Sequence, residues 1–235
     1  MKKKWHKADH IFSIPRYWSN EELRKVAHLF EGDIVNVSGW KDEDKEGGFY
    51  KDYFSSKSSY SITNFKSDMR GFQGGENEVF LNLTEALPQE LVNRFDVVFN
   101  HTVLEHIYEV QKAFGNLCQM SKDVVIVVVP FLQKMHSDYG DFWRFTPSAI
   151  KRMYEDNGLE MVYSSFNSHD FASTYLFAIG CKNPEKWKSK LGNEFSFEDR
   201  KRIVNNENLV GVHAVQNANT SSLLRFFKLF VKRKF

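Results

Sequence analysis

The sequence feature that most constrains the fold is an unbroken apolar run, Val124-Val125-Ile126-Val127-Val128-Val129. A strand with one face in water would alternate apolar and polar residues. A run without that alternation is typical of a strand that is covered on both faces by helices. The sequence therefore predicts a central strand in a parallel sheet.

Strand and helix patterns alternate along the rest of the chain. A helix is predicted over residues 20–30 with Asn20 as its N-cap, and another of about 15 residues follows residue 100. A third helix has Thr146 as its cap and Pro147 in its first position, and it stops at Gly158. The predicted strands are residues 34–37, 60–65, 79–83, 95–100, 124–129, 160–166 and 174–181.

This alternation predicts an α/β fold: a doubly wound, mostly parallel sheet of seven strands with helices on both faces. The last two predicted strands, residues 160–166 and 174–181, lie close together in the sequence. We therefore expect them to form an antiparallel pair at one edge of the sheet.

Length and composition exclude several classes of protein. The chain has 235 residues, enough for one substantial core with appendages, and 42% hydrophobic with 26% charged residues is typical of a soluble globular protein. A net charge of +2 is too small to indicate a nucleic-acid partner. With two cysteines the chain is no disulfide scaffold, and no apolar run approaches the roughly 18 residues of a membrane-spanning helix. No signal peptide is apparent, so we expect a cytoplasmic protein.

The composition changes after residue 181. Residues 1–181 are predicted to form the domain, and residues 182–235 a polar extension that ends in a basic amphipathic helix over residues 222–235. The apolar face of that helix could dock onto the domain or onto another subunit, giving a homo-oligomer. Alternatively, it could contact an anionic membrane surface, as a peripheral protein of the inner face would.

Two motifs carry a resemblance to a known family. The strand and the following run at residues 95–106, which ends in Val103-Leu104-Glu105-His106, resemble the fourth strand and following helix of class I S-adenosylmethionine-dependent methyltransferases. Residues 128–130, His136 and the run at residues 141–147 resemble the loop after the fifth strand in a subgroup, similar to methyltransferase type 11, that is associated with surface-glycan biosynthesis. The resemblance covers roughly residues 20–181 and implies a Rossmann-like fold.

The same resemblance implies that S-adenosylmethionine is the cofactor. In a doubly wound sheet a ligand lies beyond the carboxyl ends of the strands, where the strand order reverses. The implied contacts are the first loop, the ribose position after the second strand, the adenine position after the third, and the methionine position after the fourth. In this sequence they are Val37, Ser38, Gly39, Asn64, Asn82, Leu83, Asn100 and His101.

This sequence departs from the family pattern at two of these positions. The first loop keeps only Gly39 of the glycines that let the backbone approach the cofactor, and Asn64 stands where the family has an acidic residue. An asparagine can still hydrogen bond to ribose hydroxyls, but it carries no charge. A noncatalytic protein with the same fold, acting as a binding or scaffold subunit, is therefore the alternative.

Methyl transfer to a hydroxyl requires a base. His136 is the candidate because it follows the fifth strand, with Asp138 and Asp141 near enough in sequence to orient it; the alternative is a solvated loop histidine. Asp141 and Arg144 are candidates for a clamp on an anionic acceptor, or for a salt bridge that fastens the loop.

Aromatic residues of the same loop leave two interpretations open. Trp143 and Phe145 could stack against a sugar or close the edge of the sheet, and Tyr139 could belong to a lid or to a pocket.

A metal site is not expected from the sequence. His101 and Glu105 would share one face of a helix while His106 points elsewhere, and no third ligand is apparent. The leading hypothesis is O-methylation of a small-molecule, sugar or glycan-linked acceptor with His136 as the base, and the sequence leaves open whether a metal ion assists.

Overall fold

A computed structural model describes residues 10–66, 71–136, 140–167 and 172–191. The strands are β1 Gly32–Val37, β2 Lys57–Asn64, β3 Glu78–Phe80, β4 Phe95–His101, β5 Ser121–Leu132, β6 Glu160–Phe166 and β7 Thr174–Cys181. The α-helices are α1 His10–Val26, α2 Val110–Met120, α3 Pro147–Asp156 and α4 Pro184–Leu191.

The seven strands form one sheet in the order β3-β2-β1-β4-β5-β7-β6. Pairing is parallel from β3 to β5, and β7 pairs antiparallel with both β5 and β6. The predicted doubly wound sheet, with an antiparallel pair at one edge, is confirmed. The strand order reverses between β1 and β4, which makes their carboxyl ends the place where a ligand is expected.

The apolar run that identified the central strand divides between two cores. Val125, Val127 and Val129 pack into the core that α2 and α3 cover, whereas Val124, Ile126 and Val128 pack into the core that α1 and α4 cover. All six side chains are at most 1% exposed. Both faces of β5 are thus buried, as the lack of polar alternation predicts.

The first helix differs from its prediction. Asn20 lies inside α1, which in the described part of the chain already begins at His10, so its prediction as an N-cap is wrong. Its side chain is fully buried, and Nδ2 donates to the carbonyl oxygen of Asp44 at 2.8 Å. A residue type that favours caps is used here for a contact with a distant loop, which overrides its local preference.

Within the described residues, the segments between β1 and β4 contain no α-helix. The segment between β1 and β2 contains only the 3-10 turn Tyr50–Asp52, and a second 3-10 turn, Leu104–His106, follows β4. The helix expected directly after β4 therefore begins later, at Val110, and has 11 residues. His101 is the last residue of β4, so its predicted helical pairing with Glu105 is wrong.

The third helix confirms its predicted start. Thr146 is the N-cap, its hydroxyl accepts from the backbone N–H of Ala149 at 3.2 Å, and Pro147 occupies the first turn. Gly158 follows the helix with a φ of 74°, a left-handed conformation that glycine adopts without strain.

The beginning of the predicted extension packs against the domain. In α4, Trp187 and Leu191 are buried, and the Trp187 ring lies 5.1 Å from the ring of Phe30. The rest of the extension, including the helix predicted over residues 222–235, lies outside the described residues. None of the described helices has the length and apolar character that crossing a membrane requires.

Candidate functional site

The loop after β1 takes left-handed backbone conformations at four residues other than glycine. Ser38, Trp40, Asp42 and Lys45 have φ angles of 57°, 48°, 63° and 67°. Such angles are uncommon for residues with a side chain and cost on the order of 1 kcal/mol each, so they persist only where the surroundings hold them. The sequence gives no sign of this loop shape, because the usual marker of a positive φ is glycine.

Asn64 holds this loop from the end of β2. Its Oδ1 accepts from the backbone N–H of Trp40 at 2.8 Å, and its Nδ2 donates to the Trp40 carbonyl at 3.0 Å and to Glu78 Oε1 at 2.6 Å. The residue is only 2% exposed. Asn64, expected at the ribose position, thus fixes the first loop with both of its polar atoms.

Close packing surrounds Gly39 in the same loop. A Cβ atom added to Gly39 would lie 2.6 Å from Nδ2 of Asn36, which itself donates to Asp42 Oδ1 at 2.7 Å. Asp42 also accepts from Tyr60 Oη at 2.6 Å and from the backbone N–H of Lys51 at 2.8 Å. Burial raises the pKa of Asp42 despite these hydrogen bonds. Glycine is required at position 39 because any side chain would displace Asn36.

The positions after β3 are arranged as a turn. Asn82 Oδ1 accepts from the backbone N–H of Thr84 at 3.0 Å, and Nδ2 donates to Glu85 Oε1 at 2.9 Å. Leu83 is 4% exposed and belongs to the core beneath α2. Asn82 is partly exposed after the end of β3, whereas the next residue, Leu83, points into the core.

Asn100 lies at the end of β4, opposite the end of β1. Its Nδ2 donates to the carbonyl oxygen of Val37 at 3.0 Å. Its Oδ1 is buried and has no hydrogen-bond partner in the described part of the chain. A buried amide oxygen without a partner is costly, so this atom marks a place where a donor is expected to bind.

His101 is covered by α1. Its Nε2 lies 2.8 Å from Ser19 Oγ and its Nδ1 lies 3.2 Å from Thr102 Oγ1, which also accepts from Arg16 at 3.0 Å. Burial, followed by the charge of Arg16, lowers the pKa of His101 well below its ordinary value. His101 is therefore a neutral residue that joins α1 to the end of β4.

The two sequence motifs meet at the next strand end. The backbone carbonyl of Glu105 accepts from the N–H of Phe142 at 2.8 Å, and Trp143 Nε1 donates to the carbonyl of Ile107 at 3.0 Å. His106 Nδ1 lies 2.6 Å from the carbonyl oxygen of Gly140. The loop after β5 is thus attached to the loop after β4 by backbone and side-chain contacts.

Arg144 organises the loop after β5. Its guanidinium binds both oxygens of Asp141, at 2.6 and 2.8 Å, and donates to the backbone carbonyls of Gln133, Lys134 and Trp143. Burial opposes ionisation of Asp141, but Arg144 outweighs it and lowers the pKa of Asp141 to about 2. All five N–H groups of Arg144 donate hydrogen bonds within the loop. This arrangement favours the second of the two roles considered for Arg144, a salt bridge that fastens the loop, over a clamp on an acceptor.

His136 lies in the same loop and faces the motif after β4. Its backbone N–H donates to Asp141 Oδ2 at 2.8 Å, and its Nδ1 lies 3.5 Å from that oxygen. The His136 ring is 5.2 Å from the ring of His106. Asp141 thus lies beside the His136 ring, whereas Asp138 and Tyr139 lie outside the described residues.

Glu105 is the site residue that sequence analysis missed as a functional group. Its side chain is 1% exposed, and within the described structure neither carboxylate oxygen has a hydrogen-bond partner. Burial raises the pKa of Glu105 to about 8. The signal in the sequence is an acidic residue between Leu104 and His106, a pattern that a surface helix would also produce.

Exposed aromatic side chains border this cluster. Tyr108, Phe142 and Trp143 are 66%, 52% and 37% exposed, and the Tyr108 ring lies 5.5 and 6.2 Å from the other two. Phe145, by contrast, is buried in the core below α3, so of its two interpretations the structural one holds. We call the three exposed residues the aromatic patch.

Comparisons with known proteins identify the fold. No model of a known protein family and no curated protein sequence matches the chain. Among solved structures, it is similar to a protein of Bacillus halodurans C-125 that carries a provisional methyltransferase name, at 11% identity and a TM-score of 0.54, over 69% of this chain and 97% of that one.

Two further structures with methyltransferase names are similar. Magnesium protoporphyrin IX methyltransferase of Synechocystis PCC 6803, solved with bound S-adenosylmethionine, has a TM-score of 0.52 at 10% identity, over 77% of this chain and 86% of that one. The carbon methyltransferase CurJ has a TM-score of 0.51 at 11% identity, over 73% of this chain and 55% of that one. The chain therefore has the Rossmann-like fold of class I methyltransferases.

Proposed function

We propose that this protein is an S-adenosylmethionine-dependent methyltransferase. The observation that carries the proposal is Asn100 Oδ1, a buried acceptor without a hydrogen-bond partner among the described residues, located where the strand order reverses. In this fold, ligands bind beyond the carboxyl ends of the strands at that point. The methionine part of the cofactor carries an ammonium group, which is a donor of the kind that Asn100 Oδ1 lacks.

The residues around Asn100 fit such a cofactor. Ser38 and Trp40 give the first loop the positive φ angles that glycines provide elsewhere, and Gly39 between them leaves room for the side chain of Asn36. Asn82 is partly exposed at the edge of the same strand ends. We assign Val37, Ser38 and Gly39 to the cofactor's path, Asn82 and Leu83 to the nucleoside end, and Asn100 and His101 to the methionine end.

The bound cofactor supplies an electrophilic methyl group on a sulfonium and accepts the electron pair of the broken C–S bond. The chain has to align an acceptor oxygen in line with that bond and exclude water. His136 takes the hydroxyl proton, with Asp141 3.5 Å from its ring to orient it. Arg144 keeps this arrangement in place by holding Asp141 and the loop backbone.

A sugar or glycan-linked hydroxyl is our proposed acceptor, consistent with a role in surface-glycan biosynthesis. The aromatic patch supports this choice, because exposed aromatic surface beside a polar cluster suits a ligand that has apolar faces and polar edges. Trp143 of the patch is fixed by its hydrogen bond to Ile107, so its ring is held rigidly next to Glu105.

Calorimetric titration with S-adenosylhomocysteine tests the cofactor. We expect micromolar binding, a free energy of about −8 kcal/mol. Gly39→Ala should weaken it at least tenfold because the new Cβ would lie 2.6 Å from Asn36. Gly75→Ala is the matched control, since its Cβ would have its nearest neighbour at 3.5 Å. An absence of heat at millimolar ligand for the wild-type protein contradicts the proposal.

The acceptor is tested by methyl transfer from labelled cofactor to a panel of sugars, nucleotide sugars and oligosaccharides. For the acceptor that is methylated, Tyr108→Ala should raise KM several-fold and leave kcat nearly unchanged. Phe80→Ala is the control, because Phe80 is 53% exposed on β3, away from the patch. Equal KM values for the two variants would remove the patch from acceptor binding.

A noncatalytic scaffold is the second candidate, and one observation favours it. Asn64 stands at the position that binds ribose in the family, but both of its side-chain polar atoms are hydrogen bonded to Trp40 and Glu78. In a protein that no longer binds the cofactor, the loop after β1 would have only a structural role, and Asn64 would serve to hold it. The calorimetric titration decides between the two functions.

A further inference from the structure

We propose that Glu105, His106 and His136 bind a divalent transition-metal ion of the Zn²⁺ type. One carboxylate oxygen and one nitrogen of each imidazole lie within 4.8 Å of one another. Ligands around a single zinc ion lie about 3.0 to 3.6 Å apart, since each bond is about 2.0 to 2.2 Å. A small inward movement of the three side chains is enough to coordinate the ion.

The carboxylate of Glu105 needs a cation. It is 1% exposed and comes from the turn after β4, and neither oxygen has a hydrogen-bond partner in the ranges that the structure covers. Leaving an ionised carboxylate buried and unpaired costs several kcal/mol. Arg16 and Arg144 act on Glu105 through their charges without a hydrogen bond to its carboxylate, and Arg144 is paired with Asp141. A metal ion placed between Glu105 and the imidazoles would balance this charge.

His106 is prepared as a ligand by its second nitrogen. A carbonyl oxygen only accepts, so the 2.6 Å contact of Nδ1 with the Gly140 carbonyl places the ring proton on Nδ1. Nε2 then carries a lone pair, and it lies 3.8 Å from Glu105 Oε1. Two lone-pair donors that face each other in a buried space are suited to share a cation. A backbone carbonyl behind a ligating histidine is also the usual outer contact in metal sites.

His136 reaches the cluster from the loop after β5. The loop is held by Arg144 and Asp141, and the Asp141 carboxylate lies 3.5 Å from His136 Nδ1. A carboxylate beside a ligating histidine fixes the ring and increases its basicity. This third ligand could not be recognised in the sequence, because the fold alone brings it beside Glu105 and His106.

The donor set selects the ion. Two imidazoles and one carboxylate suit Zn²⁺ and its neighbours, whereas Mg²⁺ and Ca²⁺ prefer oxygen ligands only. Three protein ligands leave a position for an acceptor hydroxyl, whose pKa the ion would lower so that its proton leaves to water. This use of the ion rests on the proposed methyl transfer, and His136 would then be a ligand and not the base. The binding site itself does not depend on that function.

Titration of the metal-stripped full-length protein with ZnCl₂ in the absence of cofactor tests the site. We expect one ion per chain with micromolar or tighter affinity, and a visible d–d spectrum of tetrahedral type with Co²⁺. Glu105→Gln and His136→Ala should each weaken zinc binding by at least about a hundredfold. His28→Ala is the control, because His28 is exposed and outside the cluster.

Stability measurements keep the test valid if a variant folds poorly. Without zinc, Glu105→Gln should be at least as stable as the wild-type protein, because the amide, unlike the carboxyl group, cannot ionise in this buried position. With zinc, the wild type should gain in Tm and the variant should not. Absence of stoichiometric zinc binding to the wild type overturns the proposal, and so does zinc binding by both variants with the affinity of the wild type. A separate S-adenosylhomocysteine titration in EDTA distinguishes this failure from that of the proposed function.

Discussion

The side chain of Asn64 hydrogen bonds to both backbone polar groups of Trp40: Oδ1 accepts from its N–H at 2.8 Å, and Nδ2 donates to its carbonyl at 3.0 Å. Trp40 itself has a φ of 48°, so these two hydrogen bonds stabilise a backbone conformation that is otherwise unfavourable for this residue. The end of β2 thereby sets the shape of the loop after β1, which is the part of the fold where a nucleoside is expected.

The hydrogen bonds between Asn64 and Trp40 predict that Asn64→Asp lowers the stability of the protein, although it restores the acidic residue of the family pattern. Aspartate loses the Nδ2 donation and places a second carboxylate where Glu78 Oε1 now lies at 2.6 Å. We expect a loss of about 2 to 3 kcal/mol in the free energy of unfolding, measured by urea titration. A variant that binds S-adenosylhomocysteine more tightly at unchanged stability would show instead that Asn64 is a ribose contact.

Arg144 is predicted to act through the loop and not through the acceptor. Arg144→Lys removes the bidentate contact with Asp141, which is 4% exposed, and the donations to Gln133 and Lys134. Urea titration should show a loss of about 2 to 3 kcal/mol. Arg152→Lys is the control, because the exposed Arg152–Asp156 pair should contribute less than about 0.5 kcal/mol. If Arg144→Lys leaves the stability unchanged and raises the KM for the acceptor, Arg144 acts instead as a clamp on an anionic acceptor.

The architecture could be predicted from local sequence patterns. The apolar run of β5 has both faces buried, and Thr146 caps α3 as its sequence neighbours indicate. Both inferences depend on residues that are adjacent in the chain, where periodicity and capping act. Asn20 shows the limit: a residue that usually begins helices lies inside α1, because its partner Asp44 is distant in sequence.

The site could be predicted only in its positions, not in its contacts. Strand ends locate Ser38, Asn64 and Asn100, but nothing in the sequence shows that Asn64 serves the loop or that Asn100 Oδ1 is left without a partner in the described structure. The contact between Glu105 and the loop of His136 likewise depends on how β4 and β5 lie side by side. Tertiary placement is decisive here, and local pattern carries no information about it.

The lowered pKa of Asp44 predicts that the free energy of unfolding decreases in acid. Burial alone would raise the pKa of Asp44, but hydrogen bonds from Tyr53 Oη and from the N–H groups of Gly48 and Glu46, with the charge of Arg24, outweigh it and lower the pKa. A lowered folded-state pKa means that the ionised form stabilises the protein above the unfolded value of about 3.9, and that this stability disappears as the pH falls through the folded value.

Urea midpoints from about pH 6 down to pH 3 measure this effect. Asp44→Asn should be less stable than the wild type near neutral pH, and the difference should shrink below about pH 4. Asp52→Asn, at an exposed position of the same segment, serves as the control. A constant difference across the whole range would mean that Asp44 acts through packing and not through its charge.

Both cysteines should be unreactive in the folded protein. Burial raises the pKa of Cys118 and of Cys181 to about 12, so at pH 8 each is a protonated thiol without access to solvent. Ellman's reagent should label neither under native conditions and both in denaturant. Fast labelling of Cys118 in the native state would show that α2 opens locally, and fast labelling of Cys181 would show the same for the end of β7.

His136→Ala is predicted to separate chemistry from binding. Its ring lies beside Asp141 and His106, whereas we assign the cofactor to Val37 and Asn100, so S-adenosylhomocysteine affinity should stay within about twofold. Turnover should fall by roughly a hundredfold or more, the usual scale for a lost general base. The same variant reports on the ion. If turnover falls and zinc still binds as in the wild type, His136 is the base; if zinc binding is lost as well, His136 acts as a metal ligand. Unchanged turnover would remove it from the mechanism in either role.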